Sequence, residues 1–377
     1  MNMNVLKRVE ALREYMESRD IDASLIIDPL NQYYLTGFYA IIYSRPIMTI
    51  ITGENTDIIV PALEEEHAKE EAIVDNIHVY YEHPLGEEFP KDPIKILNNI
   101  LEKHSVRNLG VEVSKIPHSL AEALSKKFSI KDVGEKIAEM RLIKDKEEIE
   151  LIEKAAELAD IGVKESIMNT RPGMTELEID AIGTKAILEA AASKHPGARV
   201  DLFVMSPSGP ERTSMPHVFS ISRKVKEGDV IIHSRQVGLL GYRAESERTY
   251  FVRKVSKEYA EMFEVMLEAQ KKAIESIKPG VTCSQVDHAA RSVISEAGYE
   301  QYFIHRTGHG LGLSSHEGPY LRFDSEQKLL PGMVVSVEPG FYIPKVGGFR
   351  HSDTVVVTDD GKKVLTKVPR DIDSLVV

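Results

Sequence analysis

Between residues 5 and 134 the hydrophobic positions switch repeatedly between two periods. "VLKRVEALREYMESRDI" (5–21), "DPIKILNNILEKHS" (92–105) and "HSLAEALSKKF" (118–128) space their apolar residues three and four apart, which makes one helix face. "ASLIID", "PIMTIIT", "TDIIVP", "IHVYYE", "NLGVEV" and "IKDVG" are short, apolar and rich in β-branched residues, as strands are. The alternation predicts an α/β layer around a mixed sheet.

The chain then changes plan. Four longer helical patterns cover 144–169, 175–193, 257–277 and 284–298. Strand-like runs lie between and after them, and "RPGM", "KPGV", "LPGM" and "VEPG" mark the turns. This predicts an α+β unit, with long helices on one face of a curved antiparallel sheet. Helix-ending turns at Pro172 and Pro279 suggest an internal repeat. The boundary falls in "AEMRLIKDKEE", giving units 1–141 and 142–377.

One hairpin carries unusual polar residues. "DVIIH" from Asp229 and "SERTYFV" from Ser246 read as strands, with Gly238 and Gly241 marking the turn. Glu245 and Glu247 sit two apart, so on a strand they share a face. Paired acids there suggest a metal site or an acid/base pair. Three other segments add His217, then His309, His316 and Arg322, then Glu338, Arg350 and His351, each beside an apolar run.

Composition narrows the partners. The net charge is −12 and no Lys/Arg block occurs, which argues against nucleic acid. No apolar run approaches the ~20 residues of a membrane helix, and the N-terminal pattern lacks a signal-peptide core, so a cytoplasmic location is expected. The single cysteine, Cys283, rules out a disulfide and a thiolate cluster, and it reads as a small packing or surface residue. "GHGLG" (308–312) lacks both phosphate-loop patterns.

From "NQYYLTG" through "TGHGLGL…HEGP" and "GMVVSVEPG" to "TDDG", nearly the whole chain resembles the family of methionine aminopeptidase, Xaa-Pro peptidases and creatinase. The resemblance implies a pita-bread C-terminal domain behind a creatinase/prolidase-type N-terminal domain. Peptidases of that family hold two divalent metals with Asp, Asp, His, Glu and Glu. Those places fall here on Ser234, Glu245, His309, Glu338 and Ser352. Two are neutral serines, and hard cations need carboxylate oxygens. The resemblance therefore implies a degraded dinuclear site. No cofactor is expected, and one weakly bound divalent ion on Glu245, His309 and Glu338 stays open.

Other positions resemble creatinase, a metal-independent member. They are His217 eleven residues before Gly228, Glu247 in "ERT", Arg45 eight after Gly37, and Arg322 in "YLR". The resemblance implies His217 as general base and then acid, since imidazole titrates near neutrality. Glu247 and Glu338 would hold a cationic group, and Arg45 and Arg322 a carboxylate. His309 and His316 are further catalytic candidates, and Tyr242 a candidate aromatic wall. "HVF" after His217 and "RHSD" near the C-terminus depart from that pattern. The expected function is hydrolysis of a C–N bond in a small zwitterion, creatinase-like and metal-independent. A metal-dependent Xaa-Pro dipeptidase with an atypical site is the alternative, and an inactive peptide-binding protein the second. The resemblance also implies a homodimer in which Arg45 reaches a neighbour's site.

Overall fold

The computed structural model describes residues 4–41, 44–83, 86 and 88–377. The chain divides into two compact units, Met1–Arg141 and Leu142–Val377.

The first unit is a six-stranded mixed sheet of β1 (Ala23–Ile26), β2 (Met48–Thr52), β3 (Thr56–Pro61), β4 (Asn76–Tyr80), β5 (Asn108–Val111) and β6 (Ser129–Asp132). Their order is β4-β3-β2-β1-β5-β6, and β1–β2 and β2–β3 are the antiparallel pairs. The central strands bury every residue because both faces are covered. Val5, Val9, Leu12 and Met16 form the buried stripe of helix Val5–Ser18. Asp28 caps helix Pro29–Thr36 through Leu30 N and Asn31 N, and Gly37 at φ 75° ends it.

The second unit is built on β7 (Val200–Met205), β8 (Val230–Leu239), β9 (Tyr242–Phe251), β10 (Gly308–Gly310), β11 (Glu317–Leu321), β12 (Val334–Val337), β13 (Gly340–Ile343), β14 (Gly347–Arg350), β15 (Ser352–Thr358) and β16 (Gly361–Val364). Eight of them form an antiparallel sheet in the order β11-β10-β12-β15-β9-β8-β7, with β16 on β15. β13 and β14 pair as a separate hairpin. Helices Lys257–Ser276 and Cys283–Glu296 bury Phe263, Met266, Val286 and Ile294 in the core with Val335, Val337 and Val355 of the sheet. Cys283 is in that core, and burial pushes its thiol up to about 11. No described helix is long and apolar enough to cross a membrane.

The repeat suggested by the Pro-Gly turns has a structural counterpart. Helix Lys146–Asn169 and helix Lys257–Ser276 are each followed by a glycine with positive φ, Gly173 at 92° and Gly280 at 86°. Each glycine N–H then bonds a carbonyl, Val225 O and Leu329 O. Each turn leads into a capping box, Thr175 with Glu178 and Thr282 with Gln285.

The β8–β9 turn differs from expectation. Gly238 lies inside β8 opposite Arg243. The two turn residues are Leu240 and Gly241, at φ 51° and 87°. Both positive angles make the two-residue connection whose twist suits a hairpin.

Two buried groups tie the sheet to residues 368–370. Arg248 donates to Asp353 Oδ1 (2.8 Å) and to the carbonyls of Glu247, Ser352, Val368 and Pro369. His351 Nδ1 accepts from Thr249 N at 3.1 Å, so its proton sits on Nε2, 3.2 Å from Arg370 O. Removing Arg248 as Arg248→Met is expected to cost about 3 kcal/mol or more in urea unfolding followed by circular dichroism, because it breaks a buried pair. A loss below about 1 kcal/mol would mean that Arg370, Gln270 and Thr366 satisfy Asp353 without Arg248. Burial and Arg248 push His351 down to about 3, while an unfolded histidine titrates near 6.5. The folded state therefore loses stability as pH falls from about 6.5 towards 3, at up to about 1.4 kcal/mol per unit for one proton. The slope of stability against pH should be shallower in His351→Gln; equal slopes would show that another group takes the proton.

Candidate active site

The polar side chains come from one face of the curved sheet, because strand alternation sends every second residue to the same side. Gln236 of β8 pairs with Glu245 of β9, and Ser336 of β12 pairs with both His309 of β10 and Thr354 of β15. One step along the strands, Glu247 of β9 pairs with Ser234 of β8 and Ser352 of β15.

Glu245, His309 and Glu338 each present one ligand atom, all within 4.8 Å of one another. His309 Nδ1 is 3.0 Å from Gly310 O, which can only accept, so Nδ1 carries the proton of a neutral ring. Nε2 is then a lone pair. It is fully buried, finds no hydrogen-bond partner among the described residues, and lies 3.3 Å from Glu338 Oε1. A lone pair facing two carboxylates requires a positive charge among them, either a proton or a cation. Burial alone would lower His309, but Glu338 and Glu245 outweigh it and raise its pKa. Burial alone would raise Glu338, but His309 and Arg350 outweigh it and hold that carboxyl below the ordinary range.

One divalent cation fits this group, since two carboxylates offset its charge and the imidazole supplies a third donor. Two cations do not fit. Ser234 and Ser352 bring no charge. Glu245 is also engaged already, with Ser352 Oγ and Ser336 Oγ 2.6 and 3.0 Å from Oε1 and Gln236 Nε2 donating to Oε2 at 2.6 Å.

Beside the triad lies a buried ion pair. Arg350 Nε and Nη2 donate to the two oxygens of Glu247 at 2.5 and 2.6 Å, and Nη1 donates to Tyr342 Oη at 2.9 Å. Burial pushes the Glu247 carboxyl up, against the pull of Arg350. His305 Nε2 meets the same Tyr342 hydroxyl at 2.9 Å, and burial lowers His305 to about 4.

Two cavities open on this face. The larger, about 600 Å³, is walled by His217, His305, Arg306, His316, Glu338 and Arg350 among others. The smaller, about 240 Å³, touches His217, Ser234, Gln236, Glu245, His316 and Glu338. His316 stacks on His309 with centroids 3.7 Å apart, and its Nδ1 is 3.1 Å from Arg306 Nη2. A guanidinium can only donate, so Nδ1 accepts and the proton of the neutral ring is on Nε2. Burial and His309 lower the His316 pKa, which favours that neutral ring.

His217, His309, His316, Glu245, Glu338 and Ser234 thus meet around the two cavities or the triad. Three expectations change, for Glu247, Tyr242 and Arg322. Glu247 is committed to Arg350 and is not free for a cationic substrate group. Tyr242 is buried with its hydroxyl on Glu148 Oε1 (2.7 Å) and lines neither cavity. Arg322 lines the larger cavity but pairs with Asp324. Arg45, in the first unit, donates through Nε and Nη2 to Glu82 Oε2 at 2.9 and 2.8 Å. The sequence reading missed Gln236, Ser336 and Arg306. Strand alternation from Ser234 already puts Gln236 on the site face; no comparable pattern marks Arg306.

Residues 150–359 match metallopeptidase family M24, and residues 8–143 match the creatinase/prolidase N-terminal domain. A Xaa-Pro dipeptidase of Pyrococcus horikoshii is 37% identical over 373 residues, covering 97% of this chain and 98% of that protein. The chain belongs to metallopeptidase family M24. As an M24 member it is a hydrolase acting on C–N bonds. A putative dipeptidase of Bacillus subtilis is 32% identical across 97% of the chain and 99% of its own length. The crystal structure of the prolidase from P. horikoshii superposes with a TM-score of 0.86 at 35% identity, covering 97% of this chain and 99% of that one. The M24 pita-bread fold and the two-domain architecture match expectation. The creatinase-like, metal-independent reading does not find support. These relatives are dipeptidases, the family is one of metallopeptidases, and the triad keeps room for a cation.

Double-mutant analysis tests the ion pair. Glu247→Gln and Arg350→Met should each cost about 3–5 kcal/mol, by leaving a buried charge alone. The double variant should cost less than their sum by about 1 kcal/mol or more. Additive costs in urea unfolding would show that the two charges are not coupled.

Proposed function

We propose that the chain is a Xaa-Pro dipeptidase whose activity depends on one divalent cation held by Glu245, His309 and Glu338. The observation that carries this is the buried, hydrogen-bond-free His309 Nε2 facing two carboxylates, in a chain that matches a Xaa-Pro dipeptidase along nearly its whole length. When bound, the cation would polarise a carbonyl and activate water. His316 Nε2–H would donate to the substrate carbonyl oxygen, with Arg306 holding the tautomer. His217, exposed on the wall of both cavities, holds the proton that the leaving amine requires. Glu338 orients the attacking water as an acceptor. The Arg350–Glu247 pair keeps the floor neutral, so the two carboxylates of the triad would be left to balance a single dication.

Purified protein treated with a chelator should lose Ala-Pro hydrolysis and regain it with Mn²⁺ or Co²⁺, at about one ion per chain by elemental analysis. His309→Ala should bind no ion, and His217→Ala should lower kcat by about 10²-fold or more. Chelator-insensitive turnover, or two ions per chain, would refute the one-cation site. A second reading, peptide binding without turnover, is favoured by the neutral Ser234 and Ser352. Calorimetric binding of Ala-Pro with no hydrolysis at any cation concentration would establish it.

A cytoplasmic homodimer belongs to the same proposal. Arg45 of one copy would exchange Glu82 for a substrate carboxylate of the other. An Arg45→Ala variant with unchanged KM removes Arg45 from the site, and a monomer in sedimentation removes the dimer.

A further inference from the structure

His217 is exposed and touches both cavities, yet among the described residues its side chain makes no hydrogen bond. No bond of the imidazole itself fixes where the ring stands. Its place is set by the backbone of the loop that carries it, "SGPERTSMPHVFSI", residues 208–221.

One buried carboxylate holds both ends of that loop. Thr175 and Glu178 form the capping box of helix Glu176–Lys194, and Glu176, the first helical residue, is wholly buried. Its Oε1 accepts from Ser208 N (2.8 Å), Ser208 Oγ (2.6 Å) and Arg212 Nε (2.9 Å). Its Oε2 accepts from Ile221 N at 2.9 Å. One oxygen thus takes the start of the loop and the other takes its end. Four donors, one of them charged, offset the cost of burying the carboxylate. Arg212 also braces the interior of the loop, because its Nη2 donates to Phe219 O at 2.6 Å, two residues beyond His217. Ser220 Oγ adds a tie to the sheet by accepting from Ser206 N at 2.8 Å.

We propose that Glu176 and Arg212 are positioning residues that hold His217 at the cavity wall for proton transfer. Neither lines a cavity, so both act through the loop alone. This rests on the reading of His217 as the proton donor of the same site. A displacement of about 1 Å in a catalytic group can cost about 100-fold in rate. Arg212→Met keeps the bonds of Glu176 to Ser208 and Ile221 and removes the brace to Phe219 O. Glu176→Gln supplies one oxygen in place of two, so at one end of the loop an N–H meets another N–H.

The test measures Ala-Pro hydrolysis by wild type, Arg212→Met, Arg212→Lys and Glu176→Gln, each with and without His217→Ala and with one equivalent of Mn²⁺. Arg212→Met should lower kcat about 10- to 100-fold, with KM and the bound Mn²⁺ unchanged. Arg212→Lys should recover part of the loss, since an ammonium can reach one of the two acceptors. In the His217→Ala background the same substitutions should cost almost nothing, because residues that act as a unit are not additive. Hydrogen exchange gives a readout apart from turnover. Amides 214–221 should exchange faster in Arg212→Met and Glu176→Gln, while β8 and β9 stay protected. An unchanged kcat in Arg212→Met, a full additive loss on top of His217→Ala, or unchanged exchange of the loop would each overturn the proposal. If Glu176→Gln does not fold, Arg212→Met carries the test alone. A wild type that never hydrolyses Ala-Pro, with the exchange response as expected, would uphold the clasp and sink the peptidase reading, so the two fail separately.

Discussion

A bidentate carboxylate–guanidinium pair sealed inside a sheet constrains everything around it. Removing two charges from water costs several kcal/mol per ion, and the attraction offsets this only where geometry and further hydrogen bonds are complete. Glu247 and Arg350 meet that condition because β9 and β14 deliver them to one spot and Tyr342 takes a third N–H. Tyr342 in turn engages His305, so the cavity wall depends on the pair in its floor. The β13–β14 hairpin must lie close for this. At Gly348 a Cβ would stand 2.0 Å from Thr213 O, so only glycine permits the approach. The charge count of the site follows from the same pair. With Glu247 neutralised locally, Glu245 and Glu338 are the acids left to face the cavity.

Much of the architecture could be read from periodicity. Six short apolar runs in the first unit became six strands, and the four long helical patterns of the second became helices within a few residues. Apolar period is a local property and survives without knowledge of partners. The hairpin register was also legible. Glu245 and Glu247 share a face because nothing between Tyr242 and Phe251 interrupts the alternation. Gly238 was misplaced because glycine favours turns yet is sterically allowed inside a strand, and here the turn falls on Leu240 and Gly241.

Partner choice was less legible. Glu247 looked like a ligand for a cation and is one, but the cation is Arg350, 103 residues further on. Tyr242 neighbours the site hairpin in sequence, yet its hydroxyl reaches Glu148 on a helix. Arg306 escaped notice because its neighbours, His316 and Tyr320, are brought to it by the fold and follow no sequence period. Long-range polar pairing is set by where the sheet places side chains, and a linear pattern carries no record of it.

The two-residue turn after β8 has a consequence for how this site can be altered. Leu240 and Gly241 fix ten cross-strand pairs between β8 and β9. Side chains alternate with period two, so slipping that ladder by a single place would exchange the faces of every residue on one strand. Glu245 and Glu247 would turn into the helix-covered side, and Ala244, Ser246 and Arg248 would turn out. The sheet could still hydrogen-bond along its length. A one-residue insertion at the hairpin tip is thus a far graver change to the chemistry than its surface position suggests, and the length of this turn is as much a part of the site as any of its acids.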